Sequence, residues 1–271
     1  MRRRLLLMSV LLTTACGGSG GSDSAPTSLP IATPGPAAPA PAPAPAPSPA
    51  PTGLECTAAD TVEGPERLRV TLAAGEARIV AIGSSSTLGT GASAPSASYP
   101  SVLAALLAQA PSPPTYEVLN KGRGGDLLPD IVGRLDRDAL GLSPQLVALQ
   151  TGVNDATAAG DAESLRRYAD QLRATVLRLK AGTAVVLISG QFYPAQPAHY
   201  EAFQDATRRV GAETGVAVFD RYGLMKRWIS SGRYRFVEVL AADNFHPNDL
   251  TYRCMAQVMA DLTRRGVAGA G

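Results

Sequence analysis

Three hydroxyls, Ser84, Ser85 and Ser86, stand in the stretch Gly83-Ser-Ser-Ser-Thr-Leu-Gly89, and one of only two histidines, His246, stands near the other end in Asp243-Asn-Phe-His-Pro-Asn248. A serine hydroxyl is a weak nucleophile until a neighbouring base takes its proton, and a neutral imidazole is the side chain suited to that near physiological pH. Asp243 precedes His246 by three residues, close enough to orient the ring and to stabilise the imidazolium that forms during attack. Two further stretches add hydrogen-bond donors: the glycines of Asn120-Lys-Gly-Arg-Gly-Gly-Asp126 and the side-chain amide in Thr151-Gly-Val-Asn-Asp155. Brought together, these groups suit attack on a carbonyl with stabilisation of the resulting oxyanion. Each stretch alone also suits a plainer role. Gly83–Gly91 reads as a strand-to-helix turn, and it lacks both the Lys of a phosphate-binding loop and the Gly-x-Gly-x-x-Gly pattern. Asn154 and Asp155 suit the cap of the next element. His246 before Pro247 suits a surface turn, and His199 a helix surface.

The elements that must position these stretches follow from the apolar pattern. Ala77–Ile82, Tyr116–Leu119, Leu146–Gln150, Ala184–Ser189 and Val216–Phe219 are short, rich in β-branched residues and bounded by Gly, Ser or Asn, as buried parallel strands are. Leu68–Leu72 reads as a further, preliminary strand. Between the strands, Leu165, Ala169, Leu172, Val176 and Leu179 follow the helical period, with Asp161 as N-cap. Tyr99–Gln109, Ala198–Gly211 and Leu250–Arg264 read as helices in the same way. Alternating strand and helix predicts a doubly wound α/β fold, a flavodoxin-like three-layer sandwich on a parallel sheet of about five strands. Ligands of such sheets bind beyond the C-terminal strand ends, where each of the first three stretches falls. The connections look short and without a lid, which implies an open cleft.

In this order the four stretches resemble the sequence blocks of the SGNH (GDSL-type) hydrolases over nearly the whole of residues 77 to 260. Gly83-Ser84-Ser85 corresponds to the Gly-Asp-Ser of the first block, which makes Ser85 the nucleophile; the register with Gly83 and Gly89 favours it over Ser84 and Ser86. Ser84 replaces the Asp of the motif, a change of local hydrogen bonding rather than of reaction. Gly125-Asp126 matches the second block, whose glycine N–H faces the oxyanion, and Gly152-Val-Asn-Asp155 the third, whose Asn is a further donor. Asp243 and His246 match the last, the acid and base of a triad. The resemblance implies a serine ester hydrolase with an oxyanion hole formed by Ser85, Gly125 and Asn154. It needs no metal or organic cofactor, and His and Cys spacing offers no zinc site. Family habit points to acetyl or short-chain esters of small molecules or glycans. A surface lipoprotein that binds carbohydrate in the same cleft without cleaving it is the alternative. Phe192, Tyr193 and Trp228 read as core or rim packing.

The chain begins with Arg2, Arg3 and Arg4, a mostly apolar Leu5–Leu12, and Thr13-Thr14-Ala15-Cys16. This reads as a secretion signal over residues 1–15, with an apolar run short of the roughly 20 residues that span a bilayer. The ending on cysteine resembles the lipobox of bacterial lipoproteins, which makes Cys16 the lipidated first residue of the mature protein; Thr13 departs from the usual Leu, and ordinary signal cleavage is the alternative. Several acyl chains on one residue anchor stably. The expected location is therefore the cell envelope, with the membrane as a partner through the anchor. Residues 16–53 form a Gly/Ser-rich and then Pro/Ala-rich linker, whose prolines favour extended polyproline II and could stand the remaining domain, residues 54–271, on the order of 50 Å from the membrane. Removal of the signal leaves 22 basic against 23 acidic residues, a net charge of −1. No basic stripe with interleaved aromatics is present, which argues against nucleic acid as a partner. Cys56 and Cys254 then form an even pair, and in an oxidising compartment a disulfide is expected between them, with a buried thiol on the last helix as the alternative.

Overall fold

The computed structural model describes residues 56–109 and 114–269. The signal segment, Cys16 and the Pro/Ala linker lie outside the described residues. Among the described residues no helix is long and apolar enough to cross a membrane. The strands are β1 (Val62–Glu63), β2 (Glu76–Gly83), β3 (Thr115–Gly122), β4 (Leu146–Gln150), β5 (Ala184–Ile188) and β6 (Ala217–Phe219). The helices are α1 (Ala58–Thr61), α2 (Ser85–Leu88), α3 (Tyr99–Ala108), α4 (Leu128–Gly133), α5 (Leu135–Asp138), α6 (Val153–Ala158), α7 (Ala162–Lys180), α8 (Tyr200–Thr214), α9 (Arg221–Ser230), α10 (Phe236–Val239) and α11 (Asp249–Ala268).

Strands β2 to β6 form the expected parallel sheet, in the spatial order β6-β5-β4-β2-β3. The chain moves outward from β2 to β3, then returns past β2 and proceeds through β4 to β6. This is the doubly wound, flavodoxin-like order, and its switch point lies between β2 and β4. Every residue of β4 is buried, as are the last five of β2, because helices cover both faces. Helix α3 packs with α11 and α7 with α8. Asp161 caps α7 as expected, accepting a hydrogen bond from the Ser164 N–H at 2.7 Å.

Two expectations change. The sixth strand is not Leu68–Leu72 but Val62–Glu63, which pairs antiparallel with β6 at the sheet edge. Leu68 and Val70 are buried and Arg69 and Thr71 exposed, the alternation of a half-buried strand. Yet the segment lies on α11: the Val70 N–H donates to the Gly266 carbonyl at 3.1 Å, and both apolar side chains press on that glycine. Alternation records one buried face, and a helix can supply that face as well as a sheet. Nor are all connections short, since residues 189–199 and the stretch between α9 and α11 are long, the latter interrupted only by one-turn α10. These two carry the histidine and much of the surrounding wall.

The chain's entry is fastened to its last helix. The sulfurs of Cys56 and Cys254 are 2.01 Å apart, a disulfide with the two Cα atoms 5.1 Å apart. The Ala58 N–H adds a bond to Asp261 Oδ2 of α11 at 2.9 Å.

Candidate active site

Four chain segments converge beyond the C-terminal ends of β2, β3 and β4. Ser84 is the N-cap of α2 and Ser85 its first residue, so the Ser85 N–H is among those a helix start leaves without an intrahelical acceptor. The turn is gripped from below by buried Gln150, the last residue of β4, whose Oε1 accepts from Ser84 N (3.1 Å), Ser84 Oγ (3.0 Å) and Thr87 Oγ1 (3.2 Å). The serine that replaces the motif's Asp is thus a structural hydroxyl. Ser86 is buried and its hydroxyl donates to Gln191 Oε1 at 3.3 Å. Ser85 is the member of the triplet that meets the histidine, with 2.9 Å between its Oγ and His246 Nε2.

His246 stands in the loop before α11. Its Nδ1 lies 2.6 Å from Asp243 Oδ2, while Asp243 Oδ1 accepts the N–H groups of Phe245 (3.0 Å) and His246 (2.9 Å). One carboxylate therefore both shapes the loop and orients the ring. Burial alone would raise the Asp243 carboxyl, but the hydrogen bonds from the His246 ring and from the two backbone N–H groups outweigh it and hold the group below the ordinary carboxylate range. An ionised Asp243 requires the ring proton on Nδ1, which leaves Nε2 free to accept from Ser85. The two loops meet closely at Gly91, which has φ +91° and where a Cβ would fall 2.6 Å from the Pro247 carbonyl oxygen and 2.9 Å from His246 Cβ. A side chain at Gly91 would push His246 away from Ser85.

The donor side is built on β3 and β4. Gly125 has φ +82°, a conformation glycine adopts freely, in the turn closed by the Asp126 N–H to the Arg123 carbonyl. The space where its Cβ would stand is open. Asn154 donates one Nδ2 proton to the Asp126 carbonyl at 2.8 Å, which leaves the second for another acceptor. Capping falls to its neighbour Asp155, whose carboxylate takes the N–H groups of Leu128 (2.9 Å) and Gly152 (3.2 Å). Burial pushes the Asp155 carboxyl up against the pull of those bonds.

Arg134 holds the two sides together. Its buried guanidinium binds Asp126 Oδ2 at 2.7 Å, the Lys121 carbonyl at 2.8 Å, the Gly83 carbonyl at 2.9 Å and Asp138 Oδ2 at 3.1 Å. The ends of β2 and β3 and the Gly125 turn thus share one cation. Hydrogen bonding from Arg137, and then from Arg134, lowers the Asp138 carboxyl from 3.8 to about 2. A depressed carboxyl favours the folded state fully above its unfolded value and loses that contribution as pH falls through the folded one. The stability difference between wild type and Asp138→Asn is expected to persist down to about pH 4 and to close towards pH 2, read from urea midpoints. A difference unchanged at pH 2 would remove Asp138 from the acid-sensitive groups.

The wall beside the histidine is aromatic. The Phe245 ring meets His246 at 4.7 Å and Tyr193 at 4.8 Å, both edge-on. Phe192 packs between Tyr222 and Phe236, and Trp228 packs on Tyr234. His199 precedes α8 rather than lying on it, and its Nε2 pairs with the Ala156 carbonyl at 2.6 Å. Among the described residues no group of three or more His, Cys, Asp and Glu is placed to hold a metal ion. Nothing in the sequence marks Gln191 or Arg134 for this site, and the one visible signal for Gln150 is that it closes the otherwise apolar run of β4.

Solved structures share this architecture. They include an acetyl xylan esterase variant from Geobacillus stearothermophilus, with a TM-score of 0.58, 21% identity and coverage of 72% of this chain and 96% of that one. A lipase/acylhydrolase from Enterococcus faecalis superposes with a TM-score of 0.58 at 22% identity, covering 69% of this chain and 96% of that one. A two-domain esterase active on acetylated mannans does so with a TM-score of 0.57 at 24% identity, covering 71% of this chain and 51% of that one. At these identities the likeness speaks for the fold. No curated protein matches the sequence. The sequence matches the model of the non-GDSL lipase-like family over residues 55–269, and the chain belongs to that family.

Proposed function

We propose that the chain cleaves carboxylic esters through an acyl-enzyme on Ser85, with acetyl and short-chain esters of small molecules or glycans as its substrates. The observation that carries the reading is the continuous line from Asp243 Oδ2 through the His246 ring to Ser85 Oγ, with steps of 2.6 and 2.9 Å. His246 Nε2 takes the Ser85 proton as Oγ bonds to the ester carbonyl carbon. The carbonyl oxygen becomes an oxyanion, received by the N–H groups of Ser85 and Gly125 and the second Nδ2 proton of Asn154. Collapse of that intermediate breaks the carbon–alkoxy bond, and the imidazolium returns its proton to the departing alcohol. Water, activated by the same ring, then releases the acid and restores Ser85. Asp243, held ionised, stabilises the imidazolium in both halves of the cycle.

Several supports bear on the substrate. Two of the structural neighbours are, by name, esterases of acetylated glycans. The Phe245 ring packs edge-on against His246 and is itself backed by Tyr193, so an acyl group beside the base would face a packed aromatic wall. Anchoring through lipidated Cys16, on the Pro/Ala linker, would present this cleft to envelope or environmental polymers.

A panel of p-nitrophenyl esters from acetate upward, with acetylated xylan alongside, tests the reading. Turnover is expected to be highest on acetate and to fall as the acyl chain lengthens. A maximum at long chains would overturn the short-chain assignment, and glycan binding without turnover of any ester would favour the non-catalytic lipoprotein.

A further inference from the structure

Arg221 is fully buried at the start of α9, yet it forms no ion pair with any carboxylate among the described residues. Its Nε donates to the Ser189 carbonyl and its Nη2 to Gln191 Oε1, each at 3.0 Å, and Nη1 lies 3.7 Å from Met255 Sδ. The charge faces Tyr200, Tyr252 and Tyr99, and burial lowers the guanidinium from its ordinary value. Burying an unpaired cation costs several kcal/mol, so packing alone gives no reason for an arginine here.

Its bonds lead to the nucleophile. Arginine carries only donors, so Gln191 must turn its oxygen towards Arg221. The same oxygen then accepts from Ser86 Oγ, the residue after Ser85, while the Gln191 Nε2 is buried without a partner. The Gln191 backbone is fixed in turn by Tyr200, whose hydroxyl donates to the Gln191 carbonyl at 3.0 Å. Ser84 and Thr87 are held by Gln150 on one side, and Ser86 by Gln191 on the other. Ser85 between them is left to face His246.

We propose that Arg221 is a positioning residue for Ser85, acting through Gln191 and Ser86. The inference rests on the hydrolase reading above. An arginine at this place fixes the polarity of the Gln191 amide, and a fixed amide oxygen fixes the Ser86 hydroxyl and so the direction of the Ser85 Cα–Cβ bond. Misplacement of a reacting group by about 1 Å can cost on the order of 10²-fold in rate.

The test is kcat and KM on p-nitrophenyl acetate, with active sites counted by titration with a fluorophosphonate, so that unfolded protein does not enter kcat. Ser86→Ala and Gln191→Leu are expected to lower kcat about tenfold each and Arg221→Met by up to about 10²-fold, with KM within about twofold. Because the three act as one chain, the double variant Gln191→Leu/Arg221→Met should be no slower than Arg221→Met alone. Unchanged kcat per titrated site in Ser86→Ala and Gln191→Leu, or losses that multiply in the double variant, would overturn the proposal. Should Arg221→Met fail to fold, the Ser86→Ala and Gln191→Leu results decide on their own. A wild-type protein that is neither titrated nor active on any ester would instead overturn the hydrolase reading.

Discussion

Ser85→Ala is expected to lower kcat on p-nitrophenyl acetate by about 10⁴-fold or more while leaving the thermal midpoint nearly unchanged. The substitution removes one hydroxyl at the start of α2, and the grip on Ser84, Ser86 and Thr87 by Gln150 and Gln191 does not involve it. The turn should therefore keep its shape while the covalent step is lost. His246 keeps its bonds to Asp243, so the base remains correctly turned but without its proton donor. Residual turnover would come from the oxyanion donors acting on a bound ester attacked by water, which is why the loss is not expected to be total. Ser84→Ala and Ser86→Ala are the controls, because all three hydroxyls lie within one turn. A fluorophosphonate should label wild type, Ser84→Ala and Ser86→Ala, and should not label Ser85→Ala. Activity surviving in Ser85→Ala would move the nucleophile to a neighbouring serine.

The parts of this site differed in how openly the sequence carried them. Ser85 and the Asp243–His246 pair are local signals: three hydroxyls at a strand end and a carboxylate three residues before a histidine can be read from one stretch each. Strand β4 was equally plain, because a strand buried on both faces is a continuous apolar run, and the expected Leu146–Gln150 has the bounds observed. Gln191 and Arg134 carry no such signal. By type they belong on the surface, and what buries them is contact with residues far along the chain, such as Ser86 for Gln191 and Gly83 for Arg134. Leu68–Leu72 failed for a related reason, since period-two burial does not say what covers the face. For Asn154 and Asp155 the capping role and the donor role were both open; the structure gives capping to Asp155, while Asn154 donates to the Asp126 carbonyl and keeps its second amide proton for another acceptor.

Asp126→Ala should have the largest effect on stability. Asp126 and Arg134 are both about 6% exposed, and removal of the carboxylate leaves a buried guanidinium with Asp138 as its remaining anionic partner. Breaking a buried pair from one side typically costs about 3–5 kcal/mol, against a total folding stability of roughly 5–15 kcal/mol. The lower end of that range is expected here, because Asp138 continues to offset part of the charge. The urea midpoint should fall with little change in slope, and activity should fall further than the folded fraction does. The second loss follows from geometry: Asp126 closes the turn that holds Gly125, and its carbonyl takes the Asn154 amide, so a shift of this residue moves both proposed oxyanion donors together. Asp126→Leu with Arg134→Met removes both charges and should recover part of the stability. It should not recover the rate, because the Gly83 and Lys121 carbonyls lose the shared donor that aligns the ends of β2 and β3. A destabilisation below about 1 kcal/mol in Asp126→Ala would show that Asp138 alone suffices to neutralise Arg134. The oxyanion turn would then owe its position to its backbone hydrogen bonds rather than to the buried cation.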